Sequence, residues 1–144
     1  LESYAAQSDP LRLCLAHGDF THGQLLFDGP AVGLVDLDNL CQAEPALDLA
    51  QFLVYLRVAS RKSDPALAAP LLDQLEDRFL DAYSGATGER LEDPQRLRVR
   101  IGIYRVVSLL RRVMRSWQKF KGSRASHALA LLEEELACLQ QLEY

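Results

Sequence analysis

The spacing of apolar residues changes at Pro45, and no other feature of the sequence restricts the fold as much. Before Pro45 they fall in short runs at residues 11–15, 24–27 and 32–35; after it they recur three and four apart. Short runs bounded by turn residues read as strands, whereas spacings of three and four put side chains on one face of a helix. Asp28-Gly29-Pro30-Ala31 separates the second and third runs and is turn chemistry, so these two runs predict a hairpin. Leu49, Phe52, Leu53 and Leu56 predict an amphipathic helix over residues 47–61. Asp64-Pro65 starts a second helix, with Leu67, Leu71, Leu75 and Phe79 on one face and Gly85 beyond its end. Pro70 either kinks that helix or marks its true start. Asp93-Pro94 repeats the start signal for a third, led by Leu97, Ile101, Tyr104, Leu109 and Val113 to about Lys119 and ended by Gly122. The fourth begins near Ser123 or Ser126 and buries Leu129, Leu132, Leu136 and Leu139. The expected fold class is therefore α+β and mainly helical: a small strand-rich patch, then about four helices.

Length and composition suit one domain over residues 1–144, since 144 residues of which 49% are hydrophobic can bury a proper core. No uncharged apolar run approaches the roughly 18 residues of a membrane span, so a soluble chain with no membrane partner is expected. Cys14, Cys41 and Cys138 are odd in number and form no C-x-x-C pair, which points away from a disulfide framework and toward a reducing, cytoplasmic compartment. The first residue is Leu1 rather than Met, which suggests an excerpt or a cleavage product.

Charge is unevenly spread. Residues 1–93 hold 16 acidic and 6 basic groups, a balance of -10, and residues 94–144 hold 4 acidic and 10 basic, a balance of +6. The basic stretch, from Arg96 to Arg124, has no acidic residue between Pro94 and Leu132. Its plain reading is a solvated face whose arginines meet carboxylates of the acidic half; recognition of an anionic substrate is the alternative. Nucleic acid is not the expected partner, because Trp117 and Phe120 cluster at one end rather than interleaving with the positive charge.

The unusual polar residues lie between His17 and Asp48, in His17-Gly18-Asp19-Phe20-Thr21-His22-Gly23-Gln24, Asp36-Leu37-Asp38 and Glu44-Pro45-Ala46-Leu47-Asp48. Asp19 follows the first strand, Gln24 opens the hairpin and Asp36 closes it, so one edge can gather three oxygen donors. Such hard ligands suit Mg²⁺. Taken singly, each is also an ordinary turn residue that caps local backbone. A third reading joins His17 and His22 with Asp19 as a transition-metal set for a hydrolase.

His17-Gly18-Asp19 followed by Gln24, then Val35-Asp36-Leu37-Asp38, then Pro45 and Asp48-Leu49-Ala50, resembles the catalytic segment of the aminoglycoside phosphotransferase and choline kinase family, which is similar in architecture to protein kinases. The resemblance spans residues 11–53, and the later helices look like the rest of that family's C-terminal lobe. It implies Mg²⁺ and ATP or GTP as phosphate donor, with a small-molecule hydroxyl as acceptor. It implies Asp19 as the catalytic Asp that accepts the proton of that hydroxyl, and Asp36 as the Asp that holds Mg²⁺. Gln24 stands where the family usually has Asn, a second metal ligand, and offers the same carbonyl on a longer stem. Asp48 is implied as the brace of the catalytic loop and His17 as its packing support. Asp38 and Glu44 read either as neighbours of metal or substrate or as solvated carboxylates of the loops, and His22 as exposed near the mouth of the site.

Only 16 residues precede His17, no G-x-G-x-x-G occurs, and Lys62, Lys119 and Lys121 all follow the metal motif. The expectation is a C-terminal lobe alone, inactive as this fragment, whose partner is the N-terminal lobe of the same parent protein. A non-catalytic, pseudokinase-like binding module is the competing class.

Overall fold

The computed structural model describes residues 12–60, 65–87, 94–119 and 122–141. Strand β1 (Cys14–Ala16) pairs antiparallel with β4 (Cys41–Ala43), Cys14 opposite Ala43 and Ala16 opposite Cys41. Strands β2 (Leu25–Asp28) and β3 (Ala31–Leu34) form the expected hairpin, Leu25 opposite Leu34 and Asp28 opposite Ala31. A two-residue Gly29-Pro30 link closes it, with Gly29 at φ +57°, a left-handed conformation that glycine adopts without strain. The β1–β4 pair brings residues 17–24 and 35–40, the segments on either side of the hairpin, back to one place.

Four helices follow among the described residues: α1 (Ala46–Ser60), α2 (Pro65–Thr87), α3 (Pro94–Gln118) and α4 (Gly122–Gln141). Pro65 and Pro94 occupy first helical positions, where the missing N–H removes a donor that has no intrahelical partner anyway. Helix α1 packs on α3, α3 on α4, and α2 lies against α1. One cluster joins Ala46, Leu49, Ala50 and Leu53 of α1 to Leu80, Leu97 and Ile101; a second joins Val54, Val106 and Leu109 to Leu131, Leu132 and Leu139 of α4. Gly102 lets α4 approach α3 closely, since a Cβ there would lie 2.8 Å from Leu139 Cδ2. None of the described helices is long and apolar enough to cross a membrane.

Several expectations are corrected. Helix α2 runs through Gly85 to Thr87 instead of stopping before it, and Pro70 lies within it rather than at its start. Gly122 does not end α3, which stops at Gln118, but begins α4. Leu71, Leu75, Leu129 and Leu136 are exposed, while Glu76, Leu80, Leu131 and Glu135 take the buried positions. The reason is polar: Arg57 of α1 bonds both Glu76 and Asp73 of α2, and Arg105 of α3 bonds Glu76 and, at 3.4 Å, Glu135 of α4. The two helices turn their carboxylates inward to meet these arginines. Burial alone would raise the Glu76 carboxyl, but the Arg57 hydrogen bond and the charges of Arg105 and Arg57 outweigh it and hold the group below its ordinary value. Arginines of the basic stretch meet carboxylates of the acidic half as expected, Arg98 with Asp77, Arg100 with Glu44 and Arg105 with Glu76, but the last two pairs are partly buried rather than solvated. Lys62, Phe120 and Lys121 lie outside the described residues, as do the side chains of Leu67, Ser123 and Arg124.

Candidate active site

The five consecutive backbone N–H groups from His17 to Thr21 join no strand ladder, yet each donates to a side chain. His17 N and Gly18 N donate to the two oxygens of Asp48, at 2.6 and 3.0 Å. Asp19 N donates to His17 Nδ1 at 3.4 Å, Phe20 N to Gln51 Oε1 at 3.0 Å and Thr21 N to Gln24 Oε1 at 2.7 Å. Gln51 Nε2 also donates back to the Gly18 carbonyl. An irregular loop whose amides are all satisfied is ordered without belonging to regular structure. Asp48, Gln51 and Phe52 stand at i, i+3 and i+4 on α1, so one helix face carries most of these anchors. Phe20 stacks on Phe52, and Phe52 on Phe79 of α2, with centroids 5.1 and 4.8 Å apart.

His17 is buried. Its Nε2 lies 3.0 Å from the Val35 carbonyl. A carbonyl only accepts, so Nε2 carries the proton and Nδ1 is left to accept from Asp19 N. Both nitrogens are therefore engaged, which removes His17 as a metal ligand in a hydrolase site. Among the described residues no group of three or more His, Cys, Asp or Glu side chains is placed to hold a metal ion.

Gly18 has φ +82°, and a Cβ on it would collide with the Asn39 carbonyl. Glycine is required there because the Asp19 loop crosses directly over the 3₁₀ turn at Leu37–Asn39. The residue before that turn, Asp36, is the only described non-glycine residue with positive φ, at φ 67° and ψ 54°. Asp tolerates this left-handed conformation better than most residues, and such positions concentrate at functional sites. The two loops that carry Asp19 and Asp36 are thus held in backbone contact.

Gln24 sits between them in the 3₁₀ turn His22–Gln24 rather than in β2. Its carbonyl oxygen accepts from Thr21 N and Thr21 Oγ1, and its Nε2 donates to Asp36 Oδ2 at 3.3 Å. The Thr21 N–H fixes this orientation, because a flipped amide would face donor to donor. The oxygen expected to share a metal with Asp36 is turned away from it. A single carboxylate still fits Mg²⁺ that arrives on nucleotide phosphates, since Mg²⁺ commonly takes one or two protein carboxylates and fills the rest with phosphate and water.

The remaining expected residues disperse. Asp38 and His22 are exposed, each in its 3₁₀ turn. Glu44 is buried, and its carboxylate receives Arg100 Nε and Nη2, both at 2.6 Å, so it ties the approach to α1 onto α3 instead of facing substrate. Asp19 lines a cleft of about 440 Å³ between its loop, α1 and α3, together with Asn39, Gln51, Tyr55, Arg111 and Arg115. Cys14 lies near the brace, and burial, aided by the Asp48 charge, pushes its thiol up. Gln51 carried no signal of its own in the sequence; only its spacing from Asp48 on a helix face could have suggested it.

A family model described as phosphotransferase enzyme family matches residues 1–99. That span is 99 of 144 residues and includes both loops and α1. No curated protein and no solved structure matches the chain.

Proposed function

The chain belongs to the phosphotransferase enzyme family, and on that premise we propose that it is the C-terminal catalytic lobe of a kinase-like enzyme that moves the γ-phosphate of ATP, or GTP, onto a hydroxyl of a small molecule. The observation that carries this reading is the fixed loop from His17 to Thr21, which holds Asp19 at the mouth of a cleft and against the Asp36 turn. Asp19 orients the acceptor hydroxyl and takes its proton at the carboxylate as the oxygen attacks the γ-phosphorus. A new P–O bond forms, the bond from the γ-phosphorus to the β,γ-bridging oxygen breaks, and the nucleoside diphosphate leaves with that electron pair. Asp36 is the residue that would hold Mg²⁺, which when bound neutralises charge on the phosphates. Asp48 and Gln51 keep the loop from shifting; a misplacement of about 1 Å in such a site can cost on the order of a hundredfold in rate.

The lobe that covers the nucleotide in this reading would sit on the hairpin side, where Phe27, Val32 and Leu34 share one exposed face. Contiguous exposed apolar surface of this kind marks an interaction site. Activity is therefore assigned to the complete two-lobed protein and not to residues 1–144 alone. A cytoplasmic location fits three free cysteines.

The test is ADP release by the full-length protein with Mg²⁺, ATP and hydroxyl acceptors. Asp19→Asn should lower turnover by about 10²–10⁴-fold while leaving nucleotide binding in place. An unchanged rate would overturn the assignment. One observation favours the competing reading of a non-catalytic binding module: Gln24 presents its NH₂ to Asp36. A Mg²⁺-dependent nucleotide affinity abolished by Asp36→Ala supports the enzyme; affinity indifferent to Mg²⁺ and to that substitution supports the module.

A further inference from the structure

The arginines of α1 and α3 differ in what surrounds them. Arg57, Arg98, Arg100 and Arg105 each meet a carboxylate of the acidic half or of α4. Arg111 and Arg115 form no ion pair with a described carboxylate, and both line the cleft that holds Asp19. They stand four residues apart, so they project from one face of α3, where like charges repel each other. Arg112, between them in sequence, lies over the Tyr55 ring at 5.1 Å, which adds positive charge beside the same cleft. Asp19 is the only carboxylate among the described residues that line it. The cleft volume of about 440 Å³ falls within the range of small-molecule sites.

We infer that the acceptor is an anionic alcohol whose carboxylate or phosphate group is bound by Arg111 and Arg115 across the cleft from Asp19. This deepens the phosphotransfer reading and rests on it. Planar guanidinium groups bind carboxylate and phosphate oxygens through paired N–H donors, and an anion between the two arginines relieves their repulsion. One end of the acceptor is anchored by charge, so its hydroxyl is presented to Asp19 in a fixed orientation. A cationic acceptor meets two guanidinium groups against a single carboxylate and is repelled. Both arginines lie beyond residue 99, where the family match ends, so this preference is a property of the chain's own rear helices.

The experiment measures ADP release by the full-length protein with four acceptors on one three-carbon skeleton: glycerate, glycerol 3-phosphate, glycerol and 3-amino-1,2-propanediol. At least one anion should exceed glycerol in kcat/KM by about tenfold or more, with the amine last. Which anion leads tells carboxylate from phosphate. Arg111→Gln and Arg115→Gln should each raise KM for that anion about tenfold, leaving kcat within about twofold and glycerol unaffected. Preference for glycerol or the amine overturns the inference while the phosphotransfer reading stands. An equal fall in kcat for every acceptor also overturns it, because the arginines would then act on the transferring phosphate. Calorimetric titration with the same two anions reads the charge site without turnover. Binding lost in Arg111→Gln supports the anion site even if no acceptor is phosphorylated, an outcome that would count against the phosphotransfer reading alone. No heat from either anion, together with no turnover, overturns both.

Discussion

In residues 12–43, Leu15, Leu26, Phe27, Val32 and Leu40 are exposed and the strands are three or four residues long. In the helices, Leu53, Leu97, Val106 and Leu109 are sealed from solvent, and a partly buried network of Arg57, Glu76, Arg105 and Glu135 spans α1 to α4. The first region holds the candidate chemistry with almost no core of its own; the second holds the core. Order reaches the site through specific anchors, Asp48, Gln51 and the Phe20–Phe52–Phe79 stack, rather than through packing around it. Precision and stability therefore rest on different residues, and substitutions should separate them.

The sharpest separation is Asp48→Ala. It removes the acceptor for two loop amides and so frees the loop to shift locally without opening the helical core, and phosphotransfer by the full-length protein should fall at least about a hundredfold. Thermal unfolding of the helices should stay cooperative and shift little. Retention of most activity would show that the loop is held by something else.

Leu53→Ala should do the reverse. Leu53 is fully buried, so its truncation should lower unfolding free energy by about 2–5 kcal/mol in urea titration. Equal loss from Asp48→Ala and Leu53→Ala in that titration would erase the distinction between the two regions.

Glu76 gives the helical region its acid sensitivity. Its carboxyl is held below the ordinary value of 4.5, so the folded state resists protonation. The stabilisation is fully present above about pH 4.5 and is lost as pH falls through the lower folded value. Glu76→Gln should reduce stability by about 1.5–3 kcal/mol at neutral pH and flatten the acid branch of a melting curve recorded from pH 7 to 3. An acid branch as steep as that of the unsubstituted chain would assign the sensitivity to other carboxylates.

The smallest effect is expected on the hairpin. Phe27→Ser, at a side chain 72% exposed, should change the stability of residues 1–144 by no more than about 0.5 kcal/mol. In the full-length protein the same substitution should be more harmful, and an equal, small effect in both would argue against a covering lobe there.

Much of this arrangement was legible in the sequence. Proline starts and three-four spacing marked α1, α2 and α3, and Asp28-Gly29-Pro30-Ala31 marked the hairpin, because these are local effects of backbone and burial. Strand β4 was not marked: Cys41, Gln42 and Ala43 include no β-branched residue, and only long-range pairing with β1 makes them a strand. Gly85 misled because a glycine inside a helix costs only about 1 kcal/mol, which tertiary contacts of the preceding residues Leu80 and Tyr83 can offset. Leu132 and Leu139 of α4 are buried as their spacing predicts, whereas Leu71 and Leu75 of α2 and Leu129 and Leu136 of α4 misled because the neighbouring faces carry Glu76 and Glu135, whose partners are distant in the chain. Glu44 was read as site chemistry for the same reason, its partner Arg100 being 56 residues away. In the site, Asp19, Asp36 and Asp48 stood out by motif, whereas the orientation of the Gln24 amide depends on which group Thr21 N–H finds, and no residue spacing encodes that.

The five side-chain-held amides also determine how the loop can come apart. A strand at a sheet edge frays one residue at a time, whereas His17 N and Gly18 N share one carboxylate, and rotation of Asp48 alone releases both. Opening the loop is then a discrete event governed by a few rotamers on α1, separate from opening of the hairpin. In hydrogen exchange these neighbouring amides would behave as a single small cooperative unit, with a free energy belonging to the helix beneath them and not to the strands on either side.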